Sequence, residues 1–166
     1  RDLSASPVRV VMIDSESLKA VGPWPWPRYH VARLVEEIAA RKPAAIGLDM
    51  IFPEPDRIRP DIFAAFYPEL AGPARDQVLA LPSMDGLFGQ VIAGAPVVLG
   101  RAATEGPGGD PASLIVDPLI DGSPPAGLSA QPRAVVNIDP LEQAALGHGL
   151  LNGPPDPDGR VRGVPL

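Results

Sequence analysis

The run PRYHVARLVEEIAARKPAAIGLDMIF, residues 27–52, holds a helix and a strand back to back. Val31, Leu34, Val35, Ile38 and Ala39 recur at i, i+3, i+4, i+7 and i+8, while Arg33, Glu36, Glu37 and Arg41 take the opposite side. That is the pattern of an amphipathic helix over about Arg28 to Arg41, with Leu34, Val35 and Ile38 expected inside. Pro27 suits the first turn, because its missing N–H is one the helix leaves unpaired anyway. Lys42-Pro43 ends the pattern. Ala45 to Phe52 is then almost continuously apolar, broken only by Asp49, which suits a strand buried on both faces of a parallel sheet.

Upstream, Val8 to Ile13 is apolar and mostly β-branched apart from Arg9, and reads as a short buried strand ending at Asp14. The segment Gly22-Pro23-Trp24-Pro25-Trp26-Pro27 follows, held extended by three prolines. Strand, helix, strand in that order implies a right-handed crossover in an α/β layer fold. Downstream, Ser83 to Ile92 fits a second helix. Met84, Leu87, Phe88, Val91 and Ile92 form its stripe, Ser83 is a possible N-cap, and two internal glycines weaken it. Pro96 to Leu99 reads as a third parallel strand, and Asp61 to Leu81 has room for one more short helix.

From Gly100 to Arg133 the pattern dissolves into Gly, Pro and Ser, with a short strand expected near Leu114–Val116. Ala134 to Ile138 is a further strand candidate and Pro140 to Leu146 a short helix. The end reads as a hairpin, with Leu150-Leu151 and Val161–Val164 joined through Asp156-Pro157-Asp158-Gly159. The expected fold is α/β and three-layered: a mainly parallel sheet in Rossmann-like order, a C-terminal β-hairpin, and a long irregular insertion over residues 101–133. All of it belongs to one domain, residues 1–166.

Composition narrows the function. The 166 residues are 45% hydrophobic and 20% charged, as in ordinary globular domains, and the 23 prolines and 17 glycines punctuate apolar segments. The net charge of −6 argues against a nucleic-acid partner, which needs a concentrated basic face. There is no cysteine, so disulfides and thiolate metal sites are excluded. No apolar run is long enough to span a bilayer, and the first residues have no signal-peptide core. The ragged start and abrupt end read as a piece cut from a longer protein.

Asp14 and Asp49 each close an apolar run, with Glu16 and Glu54 just beyond. In open parallel sheets ligands bind beyond the carboxyl ends of the strands. These acids therefore either line a polar pocket or bond loop amides and pair with an arginine such as Arg28. We place Asp14, Glu16, Arg28, Asp49 and Glu54 on one ligand-binding edge. Trp24 and Trp26 either stack on a partner or plug the sheet edge, and the proline bracing favours the structural role. His30 opens the helix, where it either contacts a ligand or packs on those indoles. Asp156, Asp158 and Gly159 resemble part of a calcium loop, but Arg160 and Arg162 stand where further ligands belong, so a tight turn is expected. No nucleophile, base and orienter set is present, and neither catalysis nor a metal or cofactor is expected.

Four segments together resemble a known family. They are Asp14-x-Glu16-Ser17-Leu18, Gly22 to Arg28 with His30, and Gly47-Leu48-Asp49-Met50-x-Phe52-x-Glu54-Pro55-Asp56. The last is Asn152 followed by Pro155-Asp156-x-Asp158-Gly159-x-Val161-Arg162-x-Val164-Pro165-Leu166. In this order they look like the CHASE domain of the second type, an extracellular sensing domain associated with cyclases and histidine kinases. The resemblance implies a sensor on the periplasmic side of the bacterial inner membrane. Membrane helices flank such a domain, and an adenylate or guanylate cyclase, a histidine kinase or a serine/threonine kinase provides the cytoplasmic output. It implies an unidentified small-molecule or protein signal, a homodimer formed through the whole receptor, and membrane contact only through the flanking helices. The competing readings are a purely structural dimerisation module and, less favoured, an enzyme of α/β-hydrolase type.

Overall fold

The computed structural model describes residues 6–104, 110–111, 133–153 and 158. Its elements run α1 (Ser15–Val21), α2 (Arg28–Ala39), β1 (Ile46–Leu48), α3 (Pro60–Phe66), α4 (Gly72–Leu79) and α5 (Met84–Ala93). They continue with β2 (Val97–Thr104), β3 (Asp110–Pro111), β4 (Arg133–Val135), α6 (Asp139–Glu142) and β5 (Gly147–Leu150). The architecture is mixed α/β with an open sheet that is mostly parallel around β2.

β2 is the hub. β1 pairs with it in parallel, Ile46 opposite Val97 and Leu48 opposite Leu99. β5 also pairs in parallel, Val98 opposite Gly147 through Arg101 opposite Leu150. Because both partners register with Val98 and Leu99, they must lie on opposite sides of β2. Past Arg101 the hub strand turns antiparallel to β4, and β4 to β3.

The core gathers on one face of the sheet. Ile46, Leu48, Val97 and Leu99 point into it, and Val31, Val35, Phe88 and Ile92 come down from α2 and α5. Leu141 of α6 closes the cluster, fully buried. Phe52 and Phe88 meet edge to face at 5.4 Å, the geometry ring quadrupoles favour. The two long helices form where the periodicity places them. Ser83 caps α5 by accepting from the Gly86 N–H.

Several expectations are corrected. Val8 to Ile13 forms no strand: it is irregular, with Val8, Val10, Val11 and Met12 exposed, and of these residues Ile13 packs on the core. A β-branched pattern permits a strand, but the strand exists only where a neighbour accepts its backbone hydrogen bonds. β1 is buried on one face, because Gly47 puts no side chain on the other. Leu34 and Ile38 are half-buried, and the centre of the α2 stripe falls instead on Val31, Ala32 and Val35. Asp61 to Leu81 holds two short helices, α3 and α4. β2 runs on to Thr104, beyond Leu99 and into the stretch read as irregular. Gly100 makes this possible: a Cβ there would lie 2.7 Å from the Met50 carbonyl oxygen and 2.5 Å from Leu151 Cδ1. The expected strand at Leu114–Val116 lies outside the described residues, as do Asp156, Gly159 and the second hairpin arm. Asp158 is an exposed turn residue. The expected first arm, Leu150-Leu151, is in fact the end of a parallel strand and the residue after it.

Candidate functional site

Two buried ionic networks flank the loop that leaves β1. The first is centred on Arg28, at the head of α2. Its backbone N–H, one of the donors a helix start leaves unpaired, donates to Asp56 Oδ2 at 2.6 Å. Its Nη2 donates to the Glu54 carbonyl at 2.7 Å, its Nε lies 3.2 Å from Asp85 Oδ1, and its guanidinium sits 4.5 Å over the Phe52 ring. Asp85 in turn accepts from the Asp56 N–H at 2.9 Å, and Asp56 Oδ1 accepts from Ile58 N–H. Each carboxylate lies at a helix N-terminus, Asp56 at α2 and Asp85 at α5, where the macrodipole favours negative charge. Asp56 and Asp85 are both buried. The network therefore bolts the loop after β1 to the first turns of two helices.

The second network is centred on Glu142. One of its oxygens accepts from Arg101 Nε at 2.6 Å, and Arg101 Nη2 pairs with the same atom. The other accepts from Asn137 Nδ2 at 2.7 Å and Asn137 N–H at 3.2 Å. Asn137 also donates to the Gly100 carbonyl and accepts from the Phe52 N–H at 2.9 Å. His148 Nε2 stands 3.3 Å from Glu142 Oε1. Burial holds the His148 pKa below its ordinary value; Arg101 adds to that and Glu142 opposes it. Phe52 touches both networks, with its ring under Arg28 and its N–H on Asn137.

Between the networks opens a cleft of about 620 Å³. Pro53 and Pro55 form one wall, Ser83 and Asp85 of the α5 start another, and Asn137, Asp139 and Pro140 a third, with Arg59 at the side. It lies beyond the carboxyl end of β1, where α/β sheets present their ligand sites. It is an open groove that combines proline and aliphatic surface with a few polar groups.

The sequence-derived edge is spread more widely than this cleft. Asp14 caps α1, accepting from Ser17 N–H at 2.9 Å and Ser17 Oγ at 2.8 Å, and those bonds hold its pKa below the ordinary value. Glu16 pairs with Lys19 at 2.8 Å on the exposed side of the same helix. Asp49 is exposed just past β1, and Glu54 is exposed with its carbonyl on Arg28. The structure thus joins Arg28 to Glu54, while the carboxylates against Arg28 are Asp56 and Asp85. Trp26 is buried and donates to the Gly22 carbonyl at 2.7 Å, and His30 packs edge-on to it. Trp24 lies against Trp26 but is 44% exposed.

Sequence reasoning passes over Asp85, Arg101, Asn137 and Glu142, and it reaches Asp56 only as the last residue of a family segment and His148 only as an available imidazole base. One signal was the acid Glu142, which with Gln143 interrupts the apolar residues Leu141, Ala144, Ala145 and Leu146. Among the described residues no group of acids and histidines is placed to hold a metal ion, and no helix is long and apolar enough to cross a membrane. The family model of the CHASE2 domain matches residues 1–166, the whole chain. No curated protein and no solved structure gives a match.

Proposed function

The chain belongs to the CHASE2 domain family of extracytoplasmic sensory domains, and from that premise we propose that it senses a small polar molecule in the cleft between its two ionic networks. The observation that carries the reading is the position of that cleft. It adjoins the start of α5, the start of α6 and the loop after β1, so an occupant would tie three elements together. A ligand shifts a receptor only by its differential affinity for two states, and a cleft walled by separate elements is where such a difference can arise. Asp49 and Glu54, exposed on the loop that Arg28 holds, are proposed to contribute charge at its edge, and Asp14 and Glu16 to extend it at the head of α1.

The finer context is part of the same proposal. The domain would sit on the periplasmic side of a bacterial inner membrane, within a dimeric transmembrane receptor, and bias a cytoplasmic cyclase or kinase. The family resemblance supports this.

A thermal-shift screen with amino acids, small amines and small carboxylates tests the cleft. A ligand at about 100 times its Kd adds about 2.7 kcal/mol, which for a domain of this size raises Tm by about 5–10 °C. The shift should vanish in Asp139→Lys combined with Ser83→Trp, which refill the cleft from its exposed rim. Hits that survive the refilling, or a panel without any shift, would overturn the reading. The alternative of a dimerisation module is favoured by one feature: α3 and its flanks expose Ile58, Ile62, Phe63, Phe66 and Tyr67. Sedimentation of the chain and of Phe66→Asp separates the two. Dimers lost in that variant support the module.

A further inference from the structure

α2 carries a second stripe besides the one it buries. Tyr29, Arg33, Glu36 and Ala40 follow at i, i+4, i+7 and i+11, the spacing of a seam that packs on another helix. All four are exposed, and all four line a groove of about 670 Å³ between α2 and α5. The groove is uneven. Tyr29 stands at the head of α2, 52% exposed, with its ring edge-on to that of His30 at 5.4 Å. Both helices lead into strands of one direction, β1 and β2, so their last turns share the other end. Ala39, Ala40, Gly94 and Ala95 line the groove there, with no side chain larger than a methyl group.

A knob and a hole at opposite ends of one surface fit each other when two copies meet. Tyr29 and Ala40 are equidistant from a point between Leu34 and Val35, and so are Arg33 and Glu36. At 1.5 Å per residue the outer two lie about 8 Å from that point. A two-fold axis through it, at right angles to α2, sets the α2 helices of two copies antiparallel. It brings Tyr29 of each copy to Ala40 of the other, and Arg33 of each to Glu36 of the other. One axis therefore matches shape and charge together, and each contact occurs twice, as an isologous interface requires. Within one chain Arg33 pairs with Glu36 at 3.1 Å, both side chains about half exposed. Such a surface pair is worth little, so exchanging it for the equivalent pair across the axis costs little. The seam holds one cation and one anion, so it has no net charge to select a partner of either sign.

We infer that the groove between α2 and α5 is a self-docking surface: two copies of this chain pack α2 against α2 across a two-fold axis between Leu34 and Val35, each seating Tyr29 in the small-residue end of the other's groove. Tyrosine and arginine are among the residues that carry most interface energy, and the seam supplies one of each. The inference rests on the dimeric reading and deepens it by giving it a contact face, and it needs no ligand in the cleft.

Sedimentation of the 166-residue chain over a concentration series tests the surface. Arg33→Glu and Glu36→Arg each set two like-charge pairs across the axis, and each should raise the dimer dissociation constant about tenfold or more. Both positions are exposed, and circular dichroism confirms that each variant is folded before it is compared. Mixed in equal amounts, the two variants restore both opposite-charge pairs and should form a heterodimer as tight as the wild-type dimer. Tyr29→Ala removes the knob and should weaken the dimer about tenfold or more. A chain that stays monomeric to about 1 mM, a dissociation constant unmoved by either reversal or by Tyr29→Ala, or a mixture as weak as its parts would each overturn the inference. Dimers lost in Phe66→Asp but kept in Arg33→Glu would overturn it too, while leaving a dimeric domain that pairs through α3.

Discussion

Replacing either internal glycine of α5 by alanine sets helix propensity against packing. By propensity alone both changes stabilise, by about 0.5–1 kcal/mol each, since glycine is a poor helix former and loosens the unfolded chain. The structure separates them. A Cβ at Gly86 would meet only Ser83 Cβ at 3.9 Å, ordinary contact. At Gly89 it would lie 2.8 Å from the Pro140 carbonyl oxygen and 3.5 Å from the carbonyl carbon. The obstacle is backbone at the start of α6 and cannot swing aside as a side chain would. Overpacking of this kind costs about 1–3 kcal/mol. Because the propensity gain is common to both variants, their difference isolates the clash. Gly86→Ala should melt above the wild type, and Gly89→Ala should fall below Gly86→Ala by about 1–3 kcal/mol. At about 2–4 °C per kcal/mol for a chain of this length, calorimetry resolves that gap, and urea midpoints provide a second measure. Equal stabilisation of the two variants would refute the close approach of α5 and α6.

Other expectations follow from the same contacts. Arg28→Ala strips the counter-charge from the buried Asp85 and should cost about 3–5 kcal/mol in urea unfolding, whereas Arg33→Ala, whose pairs are exposed, should cost under about 1 kcal/mol. Phe88→Ala should cost about 3–5 kcal/mol, and Leu34→Ala clearly less, because Phe88 is fully buried and Leu34 only half so. Asp14→Ala should lower Tm at neutral pH but not at strongly acid pH. The cap depends on the carboxylate, whose folded pKa lies below 3.8, so its contribution is present above that value and disappears as pH falls through the folded pKa.

The residues that act through local chemistry could be read without coordinates. α2 and α5 announce themselves by apolar spacing, by Pro27 and by the Ser83 cap, and β1 and the start of β2 by short apolar runs. The sensory family is legible in its four segments, and Arg28 is recognisable as a needed counter-charge beside a rigid proline stretch. Those signals belong to residues within a turn or two of one another, where spacing alone sets which side chains share a face.

What spacing cannot carry is partnership across the chain. Val8 to Ile13 has the composition of a strand and stays coil, while Gly147 to Leu150 has almost none of it and becomes one, because β2 offers that segment its backbone partners. Asp56 and Asp85 find Arg28, and His148 finds Glu142, only when the fold brings separate segments together. The strength of each contact then comes from the exclusion of water, a property of the packed interior. Local pattern by itself determined α2 and α5, the α/β class and the family. Tertiary structure decided which strands pair, which charges are buried and where the cleft opens, since hydrogen-bond satisfaction and desolvation belong to the assembled chain.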